Sequence, residues 1–309
     1  MMENYPLVSV IVPNYNHAKY LDERIQSILN QTYQNFELII LDDYSSDNSI
    51  EVINKYKSNP HLIDVIVNEE NSGKVFSQWQ KGINIAKGEF VWIAESDDKC
   101  KPDLLEKLVS EFIEDSNLVL SFSRTVMFDD KGYESISYGA ITHTNIERMS
   151  GGVFISKYMV EGCYVTNASS ALFKKSAAVS IDRQYADYKG AGDRLFWIEI
   201  AECGNVAIIN EPLNYCRRHG DNITSSNQLY GILHLEDKKI LDYIYERKYI
   251  SFFRRIITES SYIYNNILDR NFATKSIKNN VLRAWNYNYV RKILIGLFYF
   301  RFYLAKIIK

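Results

Sequence analysis

Three short polar segments hold the side chains with the most chemistry to offer: Pro13-Asn14-Tyr15-Asn16, Asp42-Asp43 and Glu95-Ser96-Asp97-Asp98. Each closes or follows a run rich in β-branched and aromatic residues: Leu7–Pro13 (LVSVIVP), Phe36–Leu41 (FELIIL) and Phe90–Ala94 (FVWIA). One polar turn after a strand is ordinary. Three at equivalent strand ends would gather their carboxylates into one acidic cleft beside Tyr15. Crowded carboxylates repel unless a cation joins them, and hard Mg²⁺ or Mn²⁺ binds oxygen ligands together with phosphate. The expected ligand is therefore a metal-bound nucleotide, with Tyr15 available to stack on its base. Lys74, after Asn71-Ser72-Gly73, stands at a loop-to-helix start where N–H groups and a cation can meet a phosphate.

The elements that must position these residues follow from periodicity. After the first strand, Leu21, Ile25, Ile28 and Leu29 recur on one helix face. Asp64–Val67 reads as a third short strand, and Val75, Phe76, Trp79, Ile83 and Ala86 as a further helical stripe. Pro102 opens a helix whose face is Leu104, Leu105, Leu108, Val109 and Phe112. This alternation predicts an α/β fold, a mostly parallel sheet flanked by helices. Open parallel sheets bind ligands at the carboxyl ends of their strands, which is where the three polar segments fall. Beyond Leu118 the alternation weakens: Leu118–Phe128, Asn167–Phe173 and Val206–Ile209 read as strands, the last followed by a turn at Pro212. From about Leu229 the pattern becomes helical and Tyr-rich. The domains expected are 1–228, catalytic, and 229–309, a helical C-terminal extension.

The 309 residues carry 36 Lys+Arg against 38 Asp+Glu, a net charge of −2, with 46% apolar residues. That composition excludes a disordered, collagen-like or coiled-coil chain and a wholly cationic nucleic-acid binder. The average conceals an asymmetry: residues 270–309 hold nine Lys/Arg and no acid, which leaves −11 for residues 1–269. Ile293–Ile308 is apolar but interrupted by Arg301 and Lys306, too short for a span of roughly 20 apolar residues. With Trp285, Tyr287 and Tyr289 among basic neighbours, residues 270–309 suggest peripheral contact with anionic lipid; a helix packed on the catalytic domain, or a dimer interface, is the other reading. Four scattered cysteines and a polar stretch at Met1–Pro6 point to the cytoplasm, on the inner face of the cell membrane if the tail binds there.

VSVIVPNYN, LDDYSSD, NSGKVFSQWQKGINIAKGEFVWIAESDD and AGDRLFWIEIAECG occur in the order and spacing of family 2 glycosyltransferases, which the chain resembles from about residue 7 to 225. The resemblance implies a GT-A fold and inverting transfer of a sugar from a nucleotide-sugar donor to a saccharide or lipid-linked acceptor, as in bacterial surface polysaccharide synthesis. By position, Pro13 and Tyr15 match the base pocket and Asp43 the carboxylate that binds base or ribose. Glu95-Ser96-Asp97-Asp98 matches the metal-binding DxD-type signature, with Asp97 near the ribose and Asp98 on the Mn²⁺ or Mg²⁺ that bridges the diphosphate. Asp193 matches the general base; judged alone, it would also suit an N-cap of the helix Arg194–Cys203. His219, in Cys216-Arg217-Arg218-His219, stands near the point where many GT-A enzymes supply a metal ligand, and it also reads as a solvated basic turn. Two departures mark a subfamily: Glu95 where Asp is commoner, and Trp79-Gln80 where many members have Arg-Asn.

An inverting transfer is a single displacement, so a base must take the acceptor proton opposite the leaving group. A non-catalytic nucleotide-sugar-binding or assembly protein would keep the fold but not need the intact acidic motifs. A sugar-phosphate nucleotidyltransferase would carry a Gly-rich GxGxR loop where Pro13-Asn14-Tyr15-Asn16 stands. The sequence leaves the donor sugar, its base, the acceptor and the oligomeric state open.

Overall fold

The computed structural model describes residues 6–136, 145–218 and 223–297. Among the described residues ten strands form one sheet: β1 (Val8–Asn14), β2 (Phe36–Asp42), β3 (Leu62–Val67), β4 (Phe90–Ile93), β5 (Lys99–Cys100), β6 (Leu118–Phe128), β7 (Glu134–Ile136), β8 (Ile146–Ser150), β9 (Ala171–Lys174) and β10 (Asn205–Arg217). Their order is β3-β2-β1-β4-β9-β6-β10-β5, with β7 beside β6 and β8 beside β10. The sheet is mixed: β3, β2, β1 and β4 run parallel, as do β6 and β10, while β9 lies antiparallel between β4 and β6.

Helices α1 (Ala18–Leu29), α2 (Ser49–Asn54), α3 (Val75–Ile85), α4 (Leu104–Glu114), α5 (Gly151–Tyr158), α6 (Lys175–Ser180) and α7 (Gly192–Glu202) alternate with the strands. α8 (Ile223–Leu229), α9 (Ile232–Glu246), α10 (Phe252–Ile263) and α11 (Lys275–Ala284) follow the last strand. Alternating side chains divide the core. Val8, Val10, Val12, Leu38, Ile40 and Trp92 face α1, α2 and α4, whereas Ile11, Ile39, Leu41, Val91 and Ile93 face α3 and α7. Burial of both sheet faces explains why these strands read as continuous apolar runs.

The C-terminal extension joins the second of these clusters. Ile240, Leu241 and Ile244 of α9, Ile263, Val281 and Trp285 are all buried in it. Trp285 therefore lies in the core and not at a lipid interface: its ring is stacked on Tyr262 at 3.8 Å, and its Nε1 donates to the His234 carbonyl at 2.8 Å. Residues 289–297 are helical, with Tyr289, Val290, Ile293 and Leu297 exposed. Residues 298–309 of the basic tail lie outside the described residues, and among the described residues no helix is long and apolar enough to cross a membrane.

One element differs instructively from its sequence signature. The run Val206–Ile209 does not end in a turn at Pro212; β10 continues to Arg217 with register shifts on either side of the proline. Proline has no N–H to give the ladder, and a bulge accommodates it without ending the strand. Asn167–Phe173 likewise divides, into a 3₁₀ turn at Ala168–Ser170 and the short strand β9.

Candidate functional site

Register brings the strand ends together. Asn14 of β1 pairs with Asp42 of β2, and Ile11 pairs with Ile93 of β4, so Glu95 emerges close to Pro13. Asn14 Nδ2 donates to Asp42 Oδ2 at 2.7 Å, and the Asp43 N–H donates to the Asn14 carbonyl at 2.8 Å. Both loops then turn through left-handed backbone, Asn16 at φ 55° and Tyr44 at φ 64°. Asn adopts that region readily, whereas for Tyr it is uncommon. Asn16 Oδ1 accepts from the Ser46 N–H at 2.7 Å and ties one turn to the other.

Together these ends frame a cavity of about 220 Å³ lined by Pro13, Tyr15, Asp43, Lys74, Gln78 and Glu95, among others. Tyr15 is exposed at its rim, and Lys74 is the residue before the first turn of α3. The Asp43 carboxylate is fixed by four donors: Asn68 Nδ2 (2.5 Å), the Ser72 N–H (3.0 Å), Ser72 Oγ (2.9 Å) and Gln78 Nε2 (2.9 Å). Asp42 is fully buried and turned away, capped by the Ser45 N–H and hydroxyl. The expected carboxylate pair is thus split: the second member faces the cavity, and the first organises the loop. His17 also lines the cavity, its Nδ1 2.8 Å from Ser96 Oγ.

The acidic loop after β4 is held from below. Ser169, in the 3₁₀ turn before β9, donates through Oγ to Asp98 Oδ2 at 2.6 Å and accepts from the Glu95 N–H at 3.0 Å. The Arg217 N–H, at the end of β10, donates to Asp98 Oδ1 at 3.1 Å, and Arg217 Nε donates to the Asp97 carbonyl at 3.0 Å. Glu95 Oε1 accepts from Trp79 Nε1 at 3.0 Å. The two departures from the family pattern, at positions 79 and 95, are therefore one hydrogen-bonded pair. Neither Asp97 nor Asp98 lines the cavity; Asp98 is buried and Asp97 is part-exposed.

Electrostatics match this crowding. Burial, then repulsion from Asp97 and Asp98, pushes Glu95 up to about 8, with the Trp79 N–H and Arg24 opposing. Burial and then Asp97 push Asp98 up to about 6, against Arg24, Ser169 and the Arg217 N–H. Arg24 is wholly buried over the Trp92 ring at 5.0 Å, and its guanidinium nitrogens have no hydrogen-bond partner among the described residues. A buried cation beneath buried carboxylates offsets part of their mutual repulsion.

The donor set fits a divalent cation in one mode. Among the described residues no three His, Cys, Asp or Glu side chains are grouped to hold a metal alone. Mg²⁺ and Mn²⁺ sites commonly use one or two carboxylates and take their remaining oxygens from substrate phosphates. A loop carrying Glu95, Asp97 and Asp98 offers carboxylates for that mode. His219 lies outside the described residues.

Asp193 sits apart from this cavity, in the first turn of α7. The N-cap of α7 is Ala191, so Asp193 does not cap the helix; its Oδ1 accepts from the adjacent Arg194 N–H at 2.8 Å. Burial, then the charge of Asp237, pushes it up to about 6 against the pull of Arg194. A second cavity of about 460 Å³ opens just before it, lined by Tyr188, Lys189 and Gly190 on one side and Ser72, Lys74 and Phe76 on the other. Gly73, Lys74 and Val75 line both cavities, so the two adjoin across the start of α3. Spacing singled out Tyr15, the pair Asp42-Asp43 and the acidic loop, and the resemblance chose Asp43 from the pair. That reading gave no site role to His17, Trp79 or Ser169, and it did not show that Arg217 would hold the acidic loop.

A mixed sheet that delivers polar loops from its parallel strand ends to one cleft is the GT-A architecture. The model of glycosyl transferase family 2 matches residues 9–177, over half of the chain, and the chain belongs to that family. It is 41% identical over 115 residues to Glycosyltransferase GlyG of Streptococcus pneumoniae, covering 37% of this chain and 38% of that protein. It is 38% identical over 118 residues to the putative teichuronic acid biosynthesis glycosyltransferase TuaG of Bacillus subtilis, covering 38% of this chain and 46% of TuaG. The chain thus spans less than half the length of either relative. In three dimensions it resembles S. aureus TarS 1-349 in complex with UDP-GlcNAc, with a TM-score of 0.71 and 17% identity over 90% of this chain and 80% of that one. At that identity the likeness shows the fold.

Proposed function

We propose that this chain transfers a sugar from a nucleotide-diphosphate sugar to a hydroxyl of a saccharide or lipid-linked acceptor, with inversion, in the synthesis of a bacterial surface polysaccharide. The observation that carries the reading is the cavity at the ends of β1, β2 and β4, where Tyr15, a rigidly held Asp43 and Lys74 stand against an acidic loop. The TarS complex with UDP-GlcNAc and the relatives' names support a nucleotide-sugar donor.

In this reading Pro13 and Tyr15 take the base, and Asp43 accepts a hydrogen bond from base or ribose. Its four donors fix the carboxylate before the ligand arrives, which spares ordering entropy on binding. Asp97 serves the ribose, and Lys74 meets the diphosphate. Asp98, with His219 as a further candidate, would hold Mn²⁺ or Mg²⁺, whose charge would neutralise the diphosphate as it departs. Asp193 is the general base. Its carboxylate takes the acceptor O–H proton while the acceptor oxygen bonds to the anomeric carbon. The bond from that carbon to the phosphate oxygen breaks in the same displacement, and its electron pair leaves with the nucleoside diphosphate. A carboxyl raised to about 6 is still ionised at neutral pH and more basic than an exposed one.

The proposal extends to placement. Residues 270–309 carry nine basic and no acidic side chains, and the exposed apolar residues of 289–297 adjoin them. Peripheral binding to an anionic membrane would bring the enzyme to a lipid-linked acceptor. Retention in the supernatant with anionic vesicles at low salt would refute that part.

The decisive experiment is a thermal-shift screen of UDP-, GDP- and dTDP-sugars with Mn²⁺, followed by nucleoside diphosphate release with the best donor. A bound donor at 100 times its Kd adds about 2.7 kcal/mol of stability. Stabilisation without release of nucleoside diphosphate would point to a binding protein, and stabilisation by none of them would defeat the nucleotide-sugar reading.

A further inference from the structure

Two consecutive carboxylates of α9 grip both flanks of Asp193. Upstream, Lys189, Gly190 and Ala191 present three successive backbone N–H groups, and Glu236 fills the nest they make. Its Oε1 accepts from Lys189 at 2.7 Å, and its Oε2 accepts from Gly190 and Ala191 at 2.8 and 2.9 Å. Downstream, Arg194 Nη1 donates to Asp237 Oδ1 at 2.5 Å, and Arg194 Nη2 donates to the Met159 and Val160 carbonyls at 2.8 and 3.0 Å. The Tyr262 hydroxyl of α10 donates to Asp237 Oδ2 at 2.6 Å, and Tyr262 is itself stacked on Trp285.

The nest has a physical reason to need an anion. Ala191, the N-cap of α7, has no side chain to satisfy the orphan N–H groups at that helix start. A carboxylate from another helix instead satisfies the three N–H groups that lead into α7 and sets its charge near the positive end of the α7 dipole. Glu236, Arg194 and Asp237 are buried or nearly so, and the side chains that anchor them are packed in the core. The direction in which Asp193 leaves the backbone is therefore set by residues more than forty positions later in the chain.

We propose that Glu236 and Asp237 are positioning residues of the transfer site, holding Asp193 in line with the acceptor hydroxyl. The inference rests on Asp193 acting as the base. It makes the C-terminal extension a working part of the active site in addition to any role in placement. The charged and titratable groups around Asp193 are Arg194 on its own helix, Asp237 on α9 and the Cys163 thiol after α5, with Glu236 one loop away.

The test uses the full chain and the donor that the screen selects, with nucleoside diphosphate release as the readout. Glu236→Gln keeps the length of the side chain but turns an N–H₂ toward backbone donors. It should lower kcat about 10-fold or more, as loss of a reactive orientation does, and leave donor KM unchanged. Tyr262→Phe releases Asp237 more gently and should give a smaller fall of the same kind. Asp237→Asn removes a negative charge near Asp193, which favours ionisation, so the acid limb of the kcat profile should move to lower pH. Folded Glu236→Gln and Tyr262→Phe variants with wild-type kcat would overturn the proposal, and so would a loss shared equally by kcat and donor KM. Full turnover by Asp193→Asn would instead defeat the base assignment on which the proposal rests.

Discussion

Ser169→Ala deletes one oxygen at the junction on which the acidic loop rests. Ser169 is wholly buried, and alanine nearly matches its volume, so no cavity of consequence opens. The loss is polar. Asp98 Oδ2 forfeits a 2.6 Å donor and is left with the Arg217 N–H on its other oxygen, while the Glu95 N–H forfeits its 3.0 Å acceptor. A hydrogen bond to a charged group is worth about 1.5–3 kcal/mol, and a stranded buried donor costs about 1–3 kcal/mol. Because the two losses share one atom and are not additive, the expected destabilisation is about 3 kcal/mol, or a fall in Tm of roughly 6 °C for a chain of this size. Ser121 provides the control. It too is wholly buried, but its hydroxyl has no partner among the described residues, so Ser121→Ala should leave Tm unchanged or raise it. Calorimetry on the three proteins at one pH measures the difference. Equal Tm values for the two alanine variants would refute the view that Ser169 holds the acidic loop.

Asp98→Asn and Asp193→Asn should both abolish transfer, but only Asp98→Asn should weaken Mn²⁺-dependent donor binding measured by calorimetry; equal losses of binding would undercut the division of roles. Gly192→Ala would drive a Cβ to 2.5 Å from both the Phe76 ring and the Tyr185 carbonyl. Overpacking of that kind costs about 1–3 kcal/mol, and chemical denaturation should show it together with reduced turnover. Burial, then Asp182 and Glu202, pushes Glu199 up to about 8 from an ordinary value of 4.5. The folded state then binds a proton that the unfolded state has lost, so this group's contribution to stability declines as pH rises between those values. Glu199→Gln should gain more Tm over wild type at pH 8 than at pH 5, and an identical pH dependence in wild type and variant would contradict that environment.

The parts of the site legible in the sequence are those whose neighbours lie in the same strand–loop unit. Tyr15, Asp43 and Glu95 each end an apolar run, and parallel pairing brings such ends to one edge. Ser169 was not legible, because Asn167-Ala168-Ser169-Ser170 looks like the opening of a strand and gains its role only when β9 inserts antiparallel between β4 and β6. Glu236 looks like the solvated face of an amphipathic helix until the nest at 189–191 folds onto it. Trp285 sits among basic and aromatic neighbours, a composition that suits an interface, yet stacking on Tyr262 buries it. The departures at Trp79 and Glu95 were visible singly, and their contact was not, since it spans a helix and a strand end.

The Arg217 N–H that holds Asp98 comes from a residue 119 positions further along the chain. Closing so long a loop is slow in folding, because the entropy is lost before the contact forms. The exit of the acidic loop is fastened to the same late strand, Cys100 pairing with Asn214 and Lys99 with Tyr215. The tie from Arg217 to Asp98 is therefore expected to form late, whereas the β1–β4 region has closer contacts with which to collapse first. A nascent chain stopped at residue 177, where the family match ends, would hold the acidic loop through Ser169 but lack its second tie, from Arg217. On the proposed reading, a fully held Asp98, and with it metal-dependent donor binding, would arrive with β10, in step with cooperative folding of the whole sheet.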